Sequence, residues 1–206
     1  MQEKMTIEEY RQQALPGTRA KESNANRGAS FEAMLQNAHS EYKAQHRAFV
    51  FKAPVEWIYC GQKDYEYLSR QMTDLAARTV TGRFIKKKKS AIDFLGVAGS
   101  RFVAFDAKQF KGKSFPFANV ERHQIEQIRQ IGLCGGISGL MLYFSDLNRV
   151  FFVPASTVDR LYTEMLVRRG RKSISLAQCE REAVEIPVRN RMVDWLDVLL
   201  KNFSVR

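Results

Sequence analysis

No stretch of this 206-residue chain runs to the roughly 18 uncharged apolar residues that a membrane-spanning helix needs, so no spanning helix is expected. Cysteine is scarce. Cys60, Cys134 and Cys179 are odd in number and never form a CxxC pair, which argues against a disulfide framework and a zinc knuckle; they read as buried thiols. Histidine is equally sparse: His39 and His46 share one expected helix and His123 stands apart, with no Cys or His partner at zinc spacing, so no structural metal is expected on them. The opening MQEKMTIEEYRQQAL mixes acids with bases and lacks an apolar core, so it does not read as a signal peptide, and a cytosolic protein is expected.

What is short above all is negative charge. Against 33 lysines and arginines stand 22 acids, a formal net charge of +11. A surplus of that size on a small protein favours a polyanionic partner through counterion release, with nucleic acid first among them. Charge alone leaves open a merely soluble basic protein.

The length suits one domain carrying one site. Residues 1–29 form a polar stretch broken at Pro16-Gly17, with no sustained apolar period, and are expected to be a mobile arm preceding a single domain over 30–206. From Ser30, a plausible N-cap, the residues Phe31, Met34, Leu35, Ala38 and Tyr42 make a helical stripe. A strand over 48–52 follows, ended by Pro54. The segment 54–89 is expected to carry a helix around 66–78 and ends in Arg83, Phe84, Ile85, Lys86, Lys87, Lys88 and Lys89; so many adjacent bases belong in solvent or against phosphate.

Two apolar runs, 91–97 and 101–108, are separated by Ala98-Gly99-Ser100 and should pair as a hairpin. Beyond Pro116 a helix carries Ile125, Ile128 and Ile131; strands over 140–144 and 150–153 and a helix over 155–167 follow. After a second basic knot at 168–172, a C-terminal helix is expected to present Met192, Val193, Trp195, Leu196 and Leu199. The order of elements describes an α/β protein, a mixed sheet with helices packed on it.

The chemistry sits in Ser90 to Val97 and in Phe105-Asp106-Ala107-Lys108. Side chains alternate along a strand, so Asp106 and Lys108 share one face while Phe105 and Ala107 share the other. Hairpin pairing brings the Asp93 carboxylate to that charged face. Two carboxylates and a lysine make an oxygen-rich site of the kind that suits Mg²⁺ or Mn²⁺. In isolation the same residues also describe a surface ion pair. Glu32, in Arg27-Gly28-Ala29-Ser30-Phe31-Glu32, reads either as a further ligand or as a favourable charge near a helix start.

Taken together, Arg-Gly-x-x-Phe-Glu opening a helix, Ser-x-x-Asp-Phe-x-Gly-Val and Asp-Ala-Lys resemble the PD-(D/E)xK nuclease pattern in the form used by Holliday-junction resolvases. Residues 114–119, His123-Gln124-Ile125 and 170–174 are similar to three further blocks of the RecU family, and the resemblance covers about 26–190 in order. It implies a restriction-endonuclease-like fold, a mixed sheet flanked by helices with a protruding stalk at 54–89. It also implies a homodimer that cuts four-way DNA junctions symmetrically with Mg²⁺, or Mn²⁺ in its place, and contacts with the RecA recombinase.

By motif position Asp93, Asp106 and Glu32 would be metal ligands, Lys108 the catalytic lysine and Gln124 a support from the following helix. Arg27, Arg83, Lys86, Lys87, Lys88, Lys89, Ser90, Arg171 and Lys172 would meet DNA. Asp106 stands where the family usually has the longer Glu, and metal–oxygen distances tolerate only small errors. Two other readings stay open: a branched-DNA-binding protein that has lost its activity, and a duplex-cutting nuclease of the same superfamily.

Overall fold

A computed structural model describes residues 24–53, 57–59, 84–86, 92–167 and 170–203. The first described element is helix α1 (Asn24–Ala44), followed by strands β1 (Ala48–Lys52), β2 (Trp57–Tyr59), β3 (Phe84–Lys86), β4 (Phe94–Ala98), β5 (Arg101–Phe110) and β6 (Ser114–Pro116). A short 3-10 turn (Phe117–Asn119) leads into α2 (Arg122–Leu133), β7 (Ile137–Phe144), β8 (Arg149–Pro154) and α3 (Ala155–Val167). The last elements are β9 (Ser173–Ser175), α4 (Leu176–Glu182), β10 (Val184–Ile186), β11 (Val188–Arg189), β12 (Met192–Val193) and α5 (Leu196–Asn202).

Among the described residues six strands form one mixed sheet in the order β1-β4-β5-β7-β8-β10, with β5 and β7 its parallel pair. The parallel pair needs a long crossover, and β6 with α2 supplies it. Each face carries its own apolar layer. On one, Phe94, Val103, Phe105 and Phe152 pack under α1 and α5 with Phe31, Leu35, Tyr42, Trp195 and Leu199. On the other, Ala104, Leu140, Leu142 and Phe151 lie under α2 and α3 with Ile125, Ile128, Val158 and Leu161. The molecule is a mixed sheet flanked by helices, as the alternation of elements implied.

The hairpin between 91–97 and 101–108 exists as β4 and β5, joined through Gly99 (φ 54°) and Ser100 (φ 64°). Positive φ at both loop positions gives the turn whose twist matches that of the strands. β1, α3 and the helix carrying Ile125, Ile128 and Ile131 also lie where expected.

Other expectations need correction. Helix α1 begins at Asn24, so Ser30 lies inside it rather than capping it, and Glu32 is past its first turn. The polar residues 24–29 extend the helix without adding to its apolar stripe, so no hydrophobic period marks this first part. Met192 and Val193 belong to strand β12, and only Leu196–Asn202 is helical. Cys134 is exposed at the end of α2, whereas Cys179 is buried. Among the described residues no helix is long and apolar enough to cross a membrane.

β1 and β4 are hydrogen-bonded neighbours, yet 41 residues separate them in sequence. Within that insertion β2 and β3 pair antiparallel, Trp57 opposite Lys86 and Tyr59 opposite Phe84. The arm over 1–23, the helix expected around 66–78, Cys60, Arg83 and Lys87 to Ser90 lie outside the described residues, as do the side chains of Arg27 and Lys86.

Candidate active site

Strand register brings the two aspartates together. Phe94 pairs with Phe105 across the β4–β5 ladder, so Asp93, just before β4, stands opposite Asp106. Opposite residues of an antiparallel pair point to the same side of the sheet, with Cβ atoms about 5 Å apart. Where the β4 ladder gives out, the Asp93 side chain takes over: its Oδ2 accepts the Ala107 backbone N–H at 3.0 Å. Its own carbonyl accepts the N–H of Ala53, just past β1, at 2.8 Å. Asp93 is thereby fixed between two strands.

Asp106 is fully buried. Its Oδ1 accepts from Gln124 Nε2 at 2.7 Å, and Lys108 Nζ lies 2.8 Å from Oδ2. The ammonium sits off the hydrogen-bonding direction, so Oδ2 is a buried oxygen with no aligned donor. Burial above all, then the facing Asp93 carboxylate, pushes the Asp106 carboxyl up to about 7, against the opposing pull of Lys108. Two carboxylates that repel one another in a dry place are poised for a cation.

Gln124 is buried in the first turn of α2, and both ends of its amide are engaged. Its Oε1 accepts the Glu121 backbone N–H at 3.1 Å while Nε2 donates to Asp106, so the N-terminal turn of the helix is tied to the carboxylate. The helix stripe Ile125, Ile128 and Ile131 presses that turn onto β5 and β7.

The structure therefore gathers Asp93, Asp106, Lys108 and Gln124. It does not bring Glu32 to them: Glu32 Oε2 pairs with Lys52 Nζ at the end of β1, and among the described residues no three His, Cys, Asp or Glu side chains group as a metal cluster would require. Lys52 is the register partner of Phe94, the residue next to Asp93. Sequence reading did not single out Lys52; its place at the strand end paired with Phe94 was the only signal.

Two of the quoted blocks also meet. β6 and β9 form a ribbon in which Ser114 faces Ser175 and Pro116 faces Ser173, with Ser114 Oγ and Ser173 Oγ 2.7 Å apart. Phe117 N–H donates to the Lys172 carbonyl at 3.0 Å, so the exposed Arg171 and Lys172 sit at the ribbon's end. β5 continues directly into this ribbon, and the Phe110 and Phe115 ring centroids lie 5.1 Å apart in its root, within the second core layer.

Comparison with known proteins gives one family. The model of the family described as "RecU: Recombination protein U" matches residues 26–201. A protein named Holliday junction resolvase RecU from Streptococcus suis (strain 05ZYH33) is 32% identical over 180 residues, covering 86% of this chain and 82% of the relative. Its namesake from Streptococcus mutans serotype c (strain ATCC 700610 / UA159) is 31% identical over 195 residues, covering 93% of each. The Streptococcus sanguinis (strain SK36) protein of that name is 31% identical over 177 residues, 85% of this chain and 82% of the relative.

Proposed function

This chain belongs to the RecU family, and on that premise we propose that it is a metal-dependent endonuclease that resolves four-way DNA junctions by paired, symmetric nicks. One observation carries the reading: Asp93 and Asp106 face each other beside Lys108, and Asp106 Oδ2 is a buried oxygen left without an aligned donor. Hard oxygen donors of this kind fit Mg²⁺ or Mn²⁺. Held by Asp93 and Asp106, the cation would neutralise charge at the scissile phosphate and favour ionisation of the attacking water.

The remaining work falls to the chain's own side chains. Lys108 keeps its ammonium beside the carboxylate pair, from where Nζ donates to a non-bridging phosphate oxygen or orients the attacking water. Gln124 donates to Oδ1 and so holds the Asp106 carboxylate against α2, leaving Oδ2 beside Lys108. Asp106 is one methylene shorter than the family's usual Glu, so the cation would lie closer to β5 or be reached through a water. Glu32 would join the site only after exchanging Lys52 for the cation or its water.

Phosphate contacts would come from Arg171 and Lys172 at the ribbon, and from Arg27, Arg83, Lys86, Lys87, Lys88, Lys89 and Ser90. The net charge of +11 supports such a partner. Paired cuts call for two sites, which a homodimer supplies.

A labelled four-way junction incubated with Mg²⁺, with Mn²⁺ and with chelator tests the reading. Two opposed nicks that vanish with the chelator are expected, together with little cutting of linear duplex of the same sequence. Junction binding without products would identify a binding protein, and discrete fragments from long linear DNA a duplex-cutting nuclease.

A further inference from the structure

Where α2 stops, β5 and β7 start and α3 begins, the chain encloses a cavity of about 430 Å³. Arg101, which lines it, opens β5, and Asp106 lies five residues further along the same strand, roughly 17 Å away at ~3.4 Å per residue. The cavity is therefore separate from the candidate active site. Its size falls within the ~300–1,000 Å³ of ligand pockets.

Apolar walls and cationic side chains meet there. Leu133, at the end of α2 and 69% exposed, lines the cavity with Pro154, Ala155 and Phe203. Among the described residues three arginines line it, Arg101, Arg129 and Arg160, against one acid, Asp159. Arg101 is half-buried, and its Nη1 and Nη2 donate to the backbone carbonyls of Phe203 and Gly135, so among the described residues no carboxylate balances its charge. Arg129 gives Nε and Nη2 to Glu126 at 3.2 and 3.0 Å, which leaves Nη1 without a partner among the described residues. Arg160 bridges Glu164 and Glu182. A half-buried guanidinium that faces only neutral carbonyls is stabilised when an anion joins it.

We infer that this cavity docks an acidic segment of a partner protein, which seats an aromatic or aliphatic side chain against Leu133 and Phe203 and sets an adjacent carboxylate on Arg101 and Arg129. Charge and polarity select that occupant. A carboxylate matches the planar, two-pronged guanidinium, and an apolar side chain beside it fills walls that offer a bare anion nothing. DNA is a poorer match. A duplex presents a charged backbone rather than an apolar side chain, and Glu126, Asp159, Glu164 and Glu182 around the arginines would repel its neighbouring phosphates. A partner held here leaves Asp93 and Asp106 open, so the inference stands or falls independently of the proposed reaction.

Fluorescence anisotropy on the full chain tests this, with a fluorescein-labelled pool of heptapeptides carrying Asp or Glu at the first five positions and Leu, Ile, Phe or Trp at the last two. Binding with a Kd on the order of 10–100 μM is expected. A second pool with serine at the last two positions keeps the charge, loses the apolar anchor, and should bind at least ~10-fold more weakly. Arg129→Gln and Leu133→Ser should each weaken binding of the first pool by at least ~10-fold, while Leu166→Ser, at an exposed apolar residue of α3 outside the cavity, should leave it unchanged. All three variants should keep the parental circular dichroism and bind a four-way junction in chelator as the parent does. A first pool that does not bind overturns the inference, and so do a serine pool that binds equally or folded cavity variants that bind the peptides as the parent does. Cavity variants that lose junction binding instead of peptide binding assign the cavity to DNA and overturn it as well.

Discussion

Replacing the buried aspartate by its neutral isostere should make the metal-free protein more stable. Asp106 has its carboxyl raised from 3.8 to about 7, chiefly by burial and then by Asp93. The folded state therefore holds a proton that the unfolded chain has already released, and stability falls as pH rises from about 4 to about 7, then levels off. At about 1.4 kcal/mol per tenfold change, the full penalty above pH 7 is on the order of 4 kcal/mol. Asp106→Asn keeps an oxygen to accept from Gln124 Nε2 and removes the charge, at the loss of the Lys108 contact. An increase of about 1–3 kcal/mol at pH 8, shrinking to within about 0.5 kcal/mol near pH 4, is expected. Urea unfolding with chelator at both pH values, followed by circular dichroism, measures it. A variant less stable than the parent by the same amount at pH 4 and pH 8 would refute the reasoning, since no charge would then be strained in the fold.

Gln124→Leu should lose about 1–3 kcal/mol at neutral pH, because it strips both the tie to Glu121 N–H and the donor to a buried carboxylate; thermal unfolding in chelator reads the loss. His39 is packed among Phe94, Phe105 and Trp195 with Nε2 unpartnered, and burial lowers it from 6.5 to about 4. The unfolded chain takes up that proton first, so stability is lost as pH falls from 6.5 towards 4, by up to about 3 kcal/mol, and His39→Phe should flatten this part of the stability profile measured by urea titration. Gly139→Ala should leave little folded protein in a solubility and circular dichroism assay, because a Cβ there would lie 2.2 Å from the Val153 carbonyl oxygen across the β7–β8 pair.

The parts legible in the sequence were those whose signal is local. The alternation around Asp106 and the Gly99-Ser100 turn fixed the hairpin, and with it the face shared by Asp93, Asp106 and Lys108. The Ile125, Ile128 and Ile131 stripe set α2, so Gln124 fell near β5. Elements made by distant partners stayed hidden. β6 and β9 are three residues each and exist because residues 59 apart meet at Ser114 and Ser173, a pairing that no local period announces. The strands within 184–193 are equally short, and the two-residue turn at Asn190-Arg191, with φ of 48° and 58°, carries no glycine to mark it. Glu32 was placed by motif alone, and its partner Lys52 sits 20 residues on, across the α1–β1 connection.

The central claim is that Asp93, Asp106 and Lys108 act on one phosphodiester, and Lys108→Ala is its most direct test. Cutting and binding of a labelled four-way junction are measured side by side in Mg²⁺. Lys108 is one cation in a chain of 33 basic residues, so binding should stay within a few-fold of the parent while the cutting rate falls by ~100-fold or more. Cutting that persists at the parental rate, with the variant folded and bound to the junction, would contradict the account.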